Sequence, residues 1–278
     1  MPTAPDLPKP QHRWPWPALF QASVGVHAAA LGAALLAPQH AALALGAVVV
    51  NHALLTGAGL VPRSAWLGPN LRRLPETAAP DAVALTLDDG PDREVTPRVL
   101  DLLAERGVRA TFFCIAERAA AEPALLRRIV AEGHDVQNHS ARHRHDFSVS
   151  GPGALHREIH RAQATIADIT GRLPHCFRAP AGLRNPFLDP VLHRLGLHLV
   201  SWTRRGFDTR ERDPATVFTR LSRGLAPRDI LLLHDGHAGR TRDGQPVVLA
   251  VLPPLLHALQ AAGLTPVTLH EAVPARHA

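Results

Sequence analysis

Five short polar clusters in this chain hold residue types that could do chemistry together. The first is Thr86-Leu87-Asp88-Asp89-Gly90-Pro91, where two adjacent carboxylates end an apolar run and Gly-Pro turns the chain. At a strand end the backbone can redirect both carboxylates into one site, one to bind a metal and one to take a proton. The second is His139-Ser140-Ala141-Arg142-His143. Histidines at i and i+4 face the same way on a helical turn, a spacing suited to metal ligation. The third, Arg178-Ala179-Pro180-Ala181-Gly182, offers an arginine that can hold a carboxylate ionised and oriented. Its rigid turn can expose backbone N–H groups to a developing oxyanion. The fourth is Trp202 followed by Asp208, and the fifth is Leu231-Leu232-Leu233-His234-Asp235-Gly236. A histidine ending a buried strand can serve as a general acid near neutral pH, with Asp208 as its charge partner. Each cluster alone has a plainer reading: an Asp-rich turn, surface histidines in a chain with 18 of them, a Pro/Gly loop, a capping histidine.

The elements that must position these clusters follow from hydrophobic patterning. After Pro80, short apolar runs alternate with helical patterns. Strands are expected at Ala82–Leu87, Ala110–Ile115, Asp135–Asn138, His175–Arg178, His198–Trp202, Asp229–Leu233 and Pro266–Leu269. Helical patterns between them include Thr96–Arg106, Glu122–Glu132, Leu155–Thr170 and Pro214–Leu225. This alternation predicts an α/β fold with a mostly parallel sheet, and about seven units without a nucleotide fingerprint point to a distorted (β/α) barrel. Neither GxGxxG nor GxxxxGK[ST] occurs, so no nucleotide cofactor is indicated. All five clusters then fall at the C-terminal ends of parallel strands, the rim where such barrels carry their active sites.

The N-terminal part reads differently. From Trp14 to Pro62 there is no Asp, Glu, Lys or Arg, and two apolar runs, Pro17–Ala37 and Ala41–Val61, flank Pro38-Gln39-His40. Each approaches the ~20 residues that cross a bilayer as a helix. Trp14, Trp16 and Trp66 sit where interfacial aromatics would, whereas His27, Asn51 and His52 would be costly in lipid. The expected organisation is 1–62 as an N-terminal region with two transmembrane helices, 63–80 as a linker broken by Gly68-Pro69, Pro75 and Pro80, and 81–278 as the catalytic domain. Lys9 and Arg13 precede the first run, and Arg63, Arg72 and Arg73 follow the second; the turn has no Lys or Arg. The positive-inside rule therefore puts both ends, and the barrel, on the cytoplasmic side of a bacterial-type inner membrane.

Composition narrows the partners. The net charge of +6 favours anionic ligands such as lipid headgroups or phosphorylated sugars. Aromatics are only 4% and no Lys/Arg run interleaves with them, which argues against nucleic acid. Cys114 and Cys176 fit no CxxC zinc pattern; Cys114, after Phe112-Phe113, reads as a core residue, and their pairing is left open.

Taken in order, these motifs resemble the polysaccharide deacetylase family, the NodB-homology or carbohydrate esterase family 4 group. The resemblance runs from about Asp81 to the C-terminal region and rests on Asp88-Asp89-Gly90-Pro91, His139…His143, Arg178-x-Pro180-x-Gly182, Trp202…Asp208 and Leu232-x-His234. It implies one divalent metal ion, commonly Zn2+, held by Asp89, His139 and His143. It implies that Asp88 is the general base, held by Arg178, and that His234 is the general acid, tuned by Asp208. Pro180, Ala181, Gly182, Trp202 and Leu232 would line the substrate, an N-acylated amino sugar in a polysaccharide or on a lipid carrier. The acyl group would be acetyl or formyl. The chain departs from the family's pattern at Leu87 (usually Phe), Ala181 (usually aromatic), Arg205 (often Asp) and Thr209 (usually Trp). These changes touch sugar-facing walls more than chemical groups, so they bear on the substrate and not on the reaction. Two other readings compete: a membrane-anchored carbohydrate-binding protein without catalysis, and a metal-dependent ester hydrolase.

Overall fold

A computed structural model describes residues 13–276; Lys9, counted above among the basic flanks, lies outside the described residues. Two apolar helices come first, α1 (Ala18–Leu36) and α2 (Ala41–Leu60), joined by a 3-10 turn at Pro38–His40. Both are long and apolar enough to cross a membrane, and only 6% and 17% of their spans are buried. Leu31, Leu35, Leu43, Val49 and Leu54 all point outward, unlike the residues of a soluble core helix. Asn51 donates to Ser23 Oγ at 2.9 Å, and the rings of His27 and His52 meet, so the polar groups of the two helices satisfy one another.

The remaining chain builds one curled parallel sheet: β1 (Ala82–Asp88), β2 (Thr111–Cys114), β3 (Asp135–Asn138), β4 (Cys176–Phe177), β5 (His198–Leu199), β6 (Arg204–Arg205), β7 (Ile230–His234) and β8 (Thr265–Pro266). The order across it is β5-β4-β3-β2-β1-β7-β6, with β8 pairing the start of β1. Helices α3 (Val95–Ala104), α4 (Ala116–Ala121), α5 (Pro123–Ala131), α6 (Pro152–Thr170), α7 (Leu188–Arg194), α8 (Pro214–Ser222), α9 (Val247–Ala261) and α10 (Leu269–Ala272) complete the chain. The expected fold class is thus met by a half-barrel. β6 was not expected from the sequence, and several strands are shorter than the patterning suggested.

Every residue of β1 is buried, as a strand covered on both faces requires. Val83, Leu85 and Leu87 pack outward in the cluster that includes Val99 and Leu103 of α3 and Val251 and Leu255 of α9. Ala82 and Ala84 face inward with Phe113, Trp202 and Leu232. Small residues on the inner face let the sheet curl tightly. Helix ends are locally encoded: α6 opens on Gly151-Pro152 and stops at Gly171 in the left-handed conformation (φ 70°), and Asp213 caps α8 by accepting from the Ala215 and Thr216 N–H groups.

The segment expected as a linker is woven into this sheet. Leu71 bridges Val200 and Arg73 bridges Asp229. The Leu71 N–H donates to Leu199 O, the Ser201 N–H to Leu71 O and the Leu74 N–H to Arg228 O. Leu67 and Leu74 are buried. The stretch partly closes the gap between the two sheet edges. The helical pair is docked as well: the Arg184 N–H donates to Gly59 O, and the Trp14 indole to Asp189 Oδ2 at 2.7 Å.

Candidate active site

Parallel register brings the expected residues to one rim. Asp88 lies opposite Phe113 on one side and His234 on the other. Asn138 pairs with both Cys114 and Phe177, so His139 and Arg178 emerge at the same level. Asp89 then departs from the strand with φ 72°, a left-handed conformation that is costly for a residue other than glycine. That turn swings its carboxylate to the side where Asp88 already points. Gly236 packs so close to it that an added Cβ would lie 2.2 Å from Asp89 O.

His139 and His143 are not on a helical turn. Ser140 and His143 both have positive φ (69° and 51°), and the loop is fixed by side chains instead. The Ser140 N–H donates to Asn138 Oδ1, the His143 N–H donates to Ser140 Oγ, and Arg142 pairs with Glu158 of α6. The two rings still converge, with Nε2 of His139 and of His143 at 3.2 and 3.3 Å from Asp89 Oδ1. Ligand atoms of Asp89, His139 and His143 all lie within 4.8 Å of one another.

Several features fit a cation there. Asp89 Oδ1 is buried without a hydrogen-bond partner among the described residues. His139 Nδ1 contacts Arg178 O at 2.8 Å, which aims the Nε2 lone pair at the cluster. Burial opposes a charge on His139, yet Asp88 and Asp89 raise its pKa, so the pocket favours positive charge. His143 is lowered to about 4 by burial and by His139, which leaves its ring neutral and able to ligate. Burial also opposes ionisation of Asp89, but the adjoining His139 and His237 rings hold its carboxyl well below the usual range.

Two buried ion pairs flank the cluster. Arg178 is fully buried over the Phe113 ring and donates to Asp88 Oδ1 at 2.6 Å and to Thr86 Oγ1 at 2.9 Å. Its other nitrogens are spent on Val200 O and Ser201 O, so the guanidinium cannot swing away. Asp208 accepts from the His234 N–H at 2.7 Å and meets its Nδ1 at 2.9 Å, leaving Nε2 for chemistry. Burial would lower the His234 ring, but Asp208, Asp88 and Asp89 together raise it to about 9.

Around them, Pro180–Gly182 forms a 3-10 turn with Ala181 at φ 54°. Its hydrogen bonds run from Gly182 N–H to Ala179 O and from Leu183 N–H to Pro180 O, so they do not use the Ala181 N–H. Trp202 is largely buried beside Gly182. Leu232 is buried in the core and meets the site only by positioning His234. Two residues near the site, His237 and Arg118, were not singled out in the sequence, and Asp235, part of the fifth cluster, was given no role. His237 contacts Asp89 Oδ2 at 3.3 Å, Arg118 bonds Asp89 O and the His237 ring, and Asp235, bonded to Thr96, is pushed up to about 7 by burial. Asp235 adjoins His234 and His237 follows three residues after it, the only signal available. Cys114 and Cys176 are buried free thiols.

The polysaccharide deacetylase family model matches residues 76–200. The chain is 37% identical over 157 residues to a chitooligosaccharide deacetylase of a Bradyrhizobium species, covering 56% of this chain and 71% of that one. It is 32% identical over 164 residues to a peptidoglycan-N-acetylglucosamine deacetylase of Listeria monocytogenes, covering 59% of this chain and only 34% of the relative. Among solved structures, a family 4 carbohydrate esterase from Streptomyces lividans in complex with acetate matches with a TM-score of 0.61 and 33% identity, covering 68% of this chain and 93% of the other.

Proposed function

Since this chain belongs to the polysaccharide deacetylase family, we propose that it is a metal-dependent hydrolase that removes an N-acyl group, acetyl or formyl, from an amino sugar. The observation that carries this reading is the convergence of Asp89, His139 and His143 between the Asp88–Arg178 and His234–Asp208 pairs. Asp89, His139 and His143 would hold one divalent cation, most naturally zinc given two imidazoles and a carboxylate. Bound there, it would supply Lewis acidity toward the acyl carbonyl and the attacking water.

The chain's own residues do the rest. Asp88, oriented by Arg178, accepts the proton of the attacking water. The Ala181 N–H donates to the carbonyl oxygen as it gains negative charge. His234, held by Asp208 in the tautomer that frees Nε2, donates a proton to the leaving amine. Trp202 and the Pro180–Gly182 turn form the adjoining wall. Carboxylate and amine are the products.

The low burial of α1 and α2 supports a hairpin that spans the membrane, with 63–80 leading into the catalytic domain. The charge pattern of its flanks supports a barrel on the cytoplasmic side. Mass loss from N-acetylated and N-formylated sugars incubated with the purified, metal-loaded chain tests the reading. Turnover absent in Asp88→Asn with metal retained supports it; turnover confined to ester substrates overturns it.

A further inference from the structure

Beside the site, the segment that follows α2 and strand β6 enclose a groove of about 760 Å³ lined by Arg63, Trp202, Arg205, Phe207, Arg220 and Arg223, among others. Its arginines are not equivalent. Arg220 is offset by Glu211 at 3.2 Å, and the neighbouring Arg204 by the buried Asp229. Among the described residues no carboxylate lies within salt-bridge distance of Arg63, Arg205 or Arg223; Arg63 donates only to Thr203 O. Arg205 is the most constrained. Its guanidinium stands 5.1 Å from the Trp202 ring and 4.9 Å from the Phe207 ring, and its Nε is buried without a hydrogen-bond partner. Arg205 feels the Asp88, Asp208 and Asp89 carboxylates of the site without contacting any of them, so among the described residues its half-buried, aromatic-walled guanidinium has no direct partner and can take an anion.

Two neighbours say which anion. Trp202 links the groove to the candidate active site, since it also abuts Gly182 of the turn that carries the Ala181 N–H. On the other side, a second groove of about 970 Å³ shares Val61, Arg63 and Thr203 with the first. Its α2 side, over Ala53, Leu54, Gly57 and Ala58, is an apolar track on a helix long enough to enter a bilayer, while Ser64, Asn70, Arg72 and Arg73 line the opposite side. Reaction site, basic groove and apolar track are therefore consecutive.

We propose that Arg63, Arg205 and Arg223 bind the phosphate of a phosphoglycolipid whose N-acylated sugar reaches the Asp89–His139–His143 cluster and whose apolar chain lies along α2. This deepens the deacylase reading and rests on it. A neutral oligosaccharide would leave these guanidinium groups unanswered. A soluble sugar phosphate would satisfy them but not the apolar track.

The test uses the full, metal-loaded chain in neutral detergent and three N-acetylglucosamine probes: a neutral dodecyl glycoside, the 1-phosphate, and the dodecyl phosphodiester. The phosphodiester is expected to exceed the neutral glycoside at least tenfold in kcat/KM. That ratio should fall about tenfold in Arg205→Gln and again in Arg223→Gln, the effect of losing one hydrogen bond to a charged group. Equal rates on neutral and phosphodiester probes, or a ratio unchanged in both variants, overturn the proposal while leaving deacylation intact. Equal rates on the 1-phosphate and the phosphodiester overturn the lipid part. Absence of turnover on all three counts against the deacylase reading itself. In that case dodecyl phosphate binding measured by calorimetry still judges the groove: affinity about tenfold weaker in Arg205→Gln supports it, and equal affinity refutes it.

Discussion

His234 carries the clearest pH signature among the site residues. A general acid must be protonated, so kcat/KM should fall as pH rises through its pKa, raised here to about 9 by Asp208 and the two site carboxylates against the effect of burial. A bound cation repels that proton, so in the loaded enzyme the limb is expected at or below about 9. His234→Ala should cost on the order of 10²- to 10⁴-fold in kcat and abolish the limb, and Asp208→Asn should move it to lower pH. pH–rate profiles check both. His139→Ala and His143→Ala should each lose stoichiometric divalent metal while the fold survives; full metal content in both variants would remove the proposed ligand set. At this scale the sequence was legible where chemistry is rare. Paired carboxylates, HxxxH and a strand-ending histidine each have a plainer reading alone, and it is their joint recurrence at expected strand ends that can be seen without coordinates. His237, Arg118 and the Thr96–Asp235 pair were not, because their approach to Asp89 and Gly90 depends on three loops meeting in space.

The elements that hold these residues were read less completely, for physical reasons. β1 and β7 are buried apolar runs with a strong signal and appear nearly where expected; β3, Asp-Val-Gln-Asn, is buried but mostly polar and also lies where expected. β6 is Arg204-Arg205, two charged residues paired to Leu231 and Leu232, and no apolar pattern could announce it. The His139–His143 segment has helical spacing, yet side-chain bonds from Asn138 and Ser140 win over the helix and fold it as a loop with two left-handed residues. Gly182 shows how tightly the rim is packed. With φ 75° and an added Cβ only 2.7 Å from Pro62 Cβ and Trp202 Cη2, Gly182→Ala should destabilise by ~1–3 kcal/mol. Because the displaced Trp202 and Ala181 adjoin the reaction, kcat/KM should drop further than stability alone explains. Thermal unfolding and kinetics on the same sample separate the two effects.

The described residues form an apolar helical pair capped by a half-barrel, with the Trp14 and Trp16 rings in contact before α1 and Trp66 beside the end of α2. Fusing alkaline phosphatase to the C-terminus should give low phosphatase activity in cells, as a cytoplasmic barrel requires; high activity would move the barrel outside and remove a cytoplasmic lipid carrier as the source of substrate. The segment that clasps the sheet has a further consequence, in the order of events during synthesis. Arg72 emerges 131 residues before its partner Thr203, and Arg73 emerges 156 residues before Asp229. If the helical pair spans a membrane as proposed, it can enter the bilayer while the clasp is still unpaired, and the half-barrel then assembles beside a chain tethered at one end. Pairings of such high sequence separation form slowly. The clasp joins the earliest part of the half-barrel to the approach to β7, and β8 then adds to β1 later still, so a nascent chain halted before Asp229 would leave both seams open.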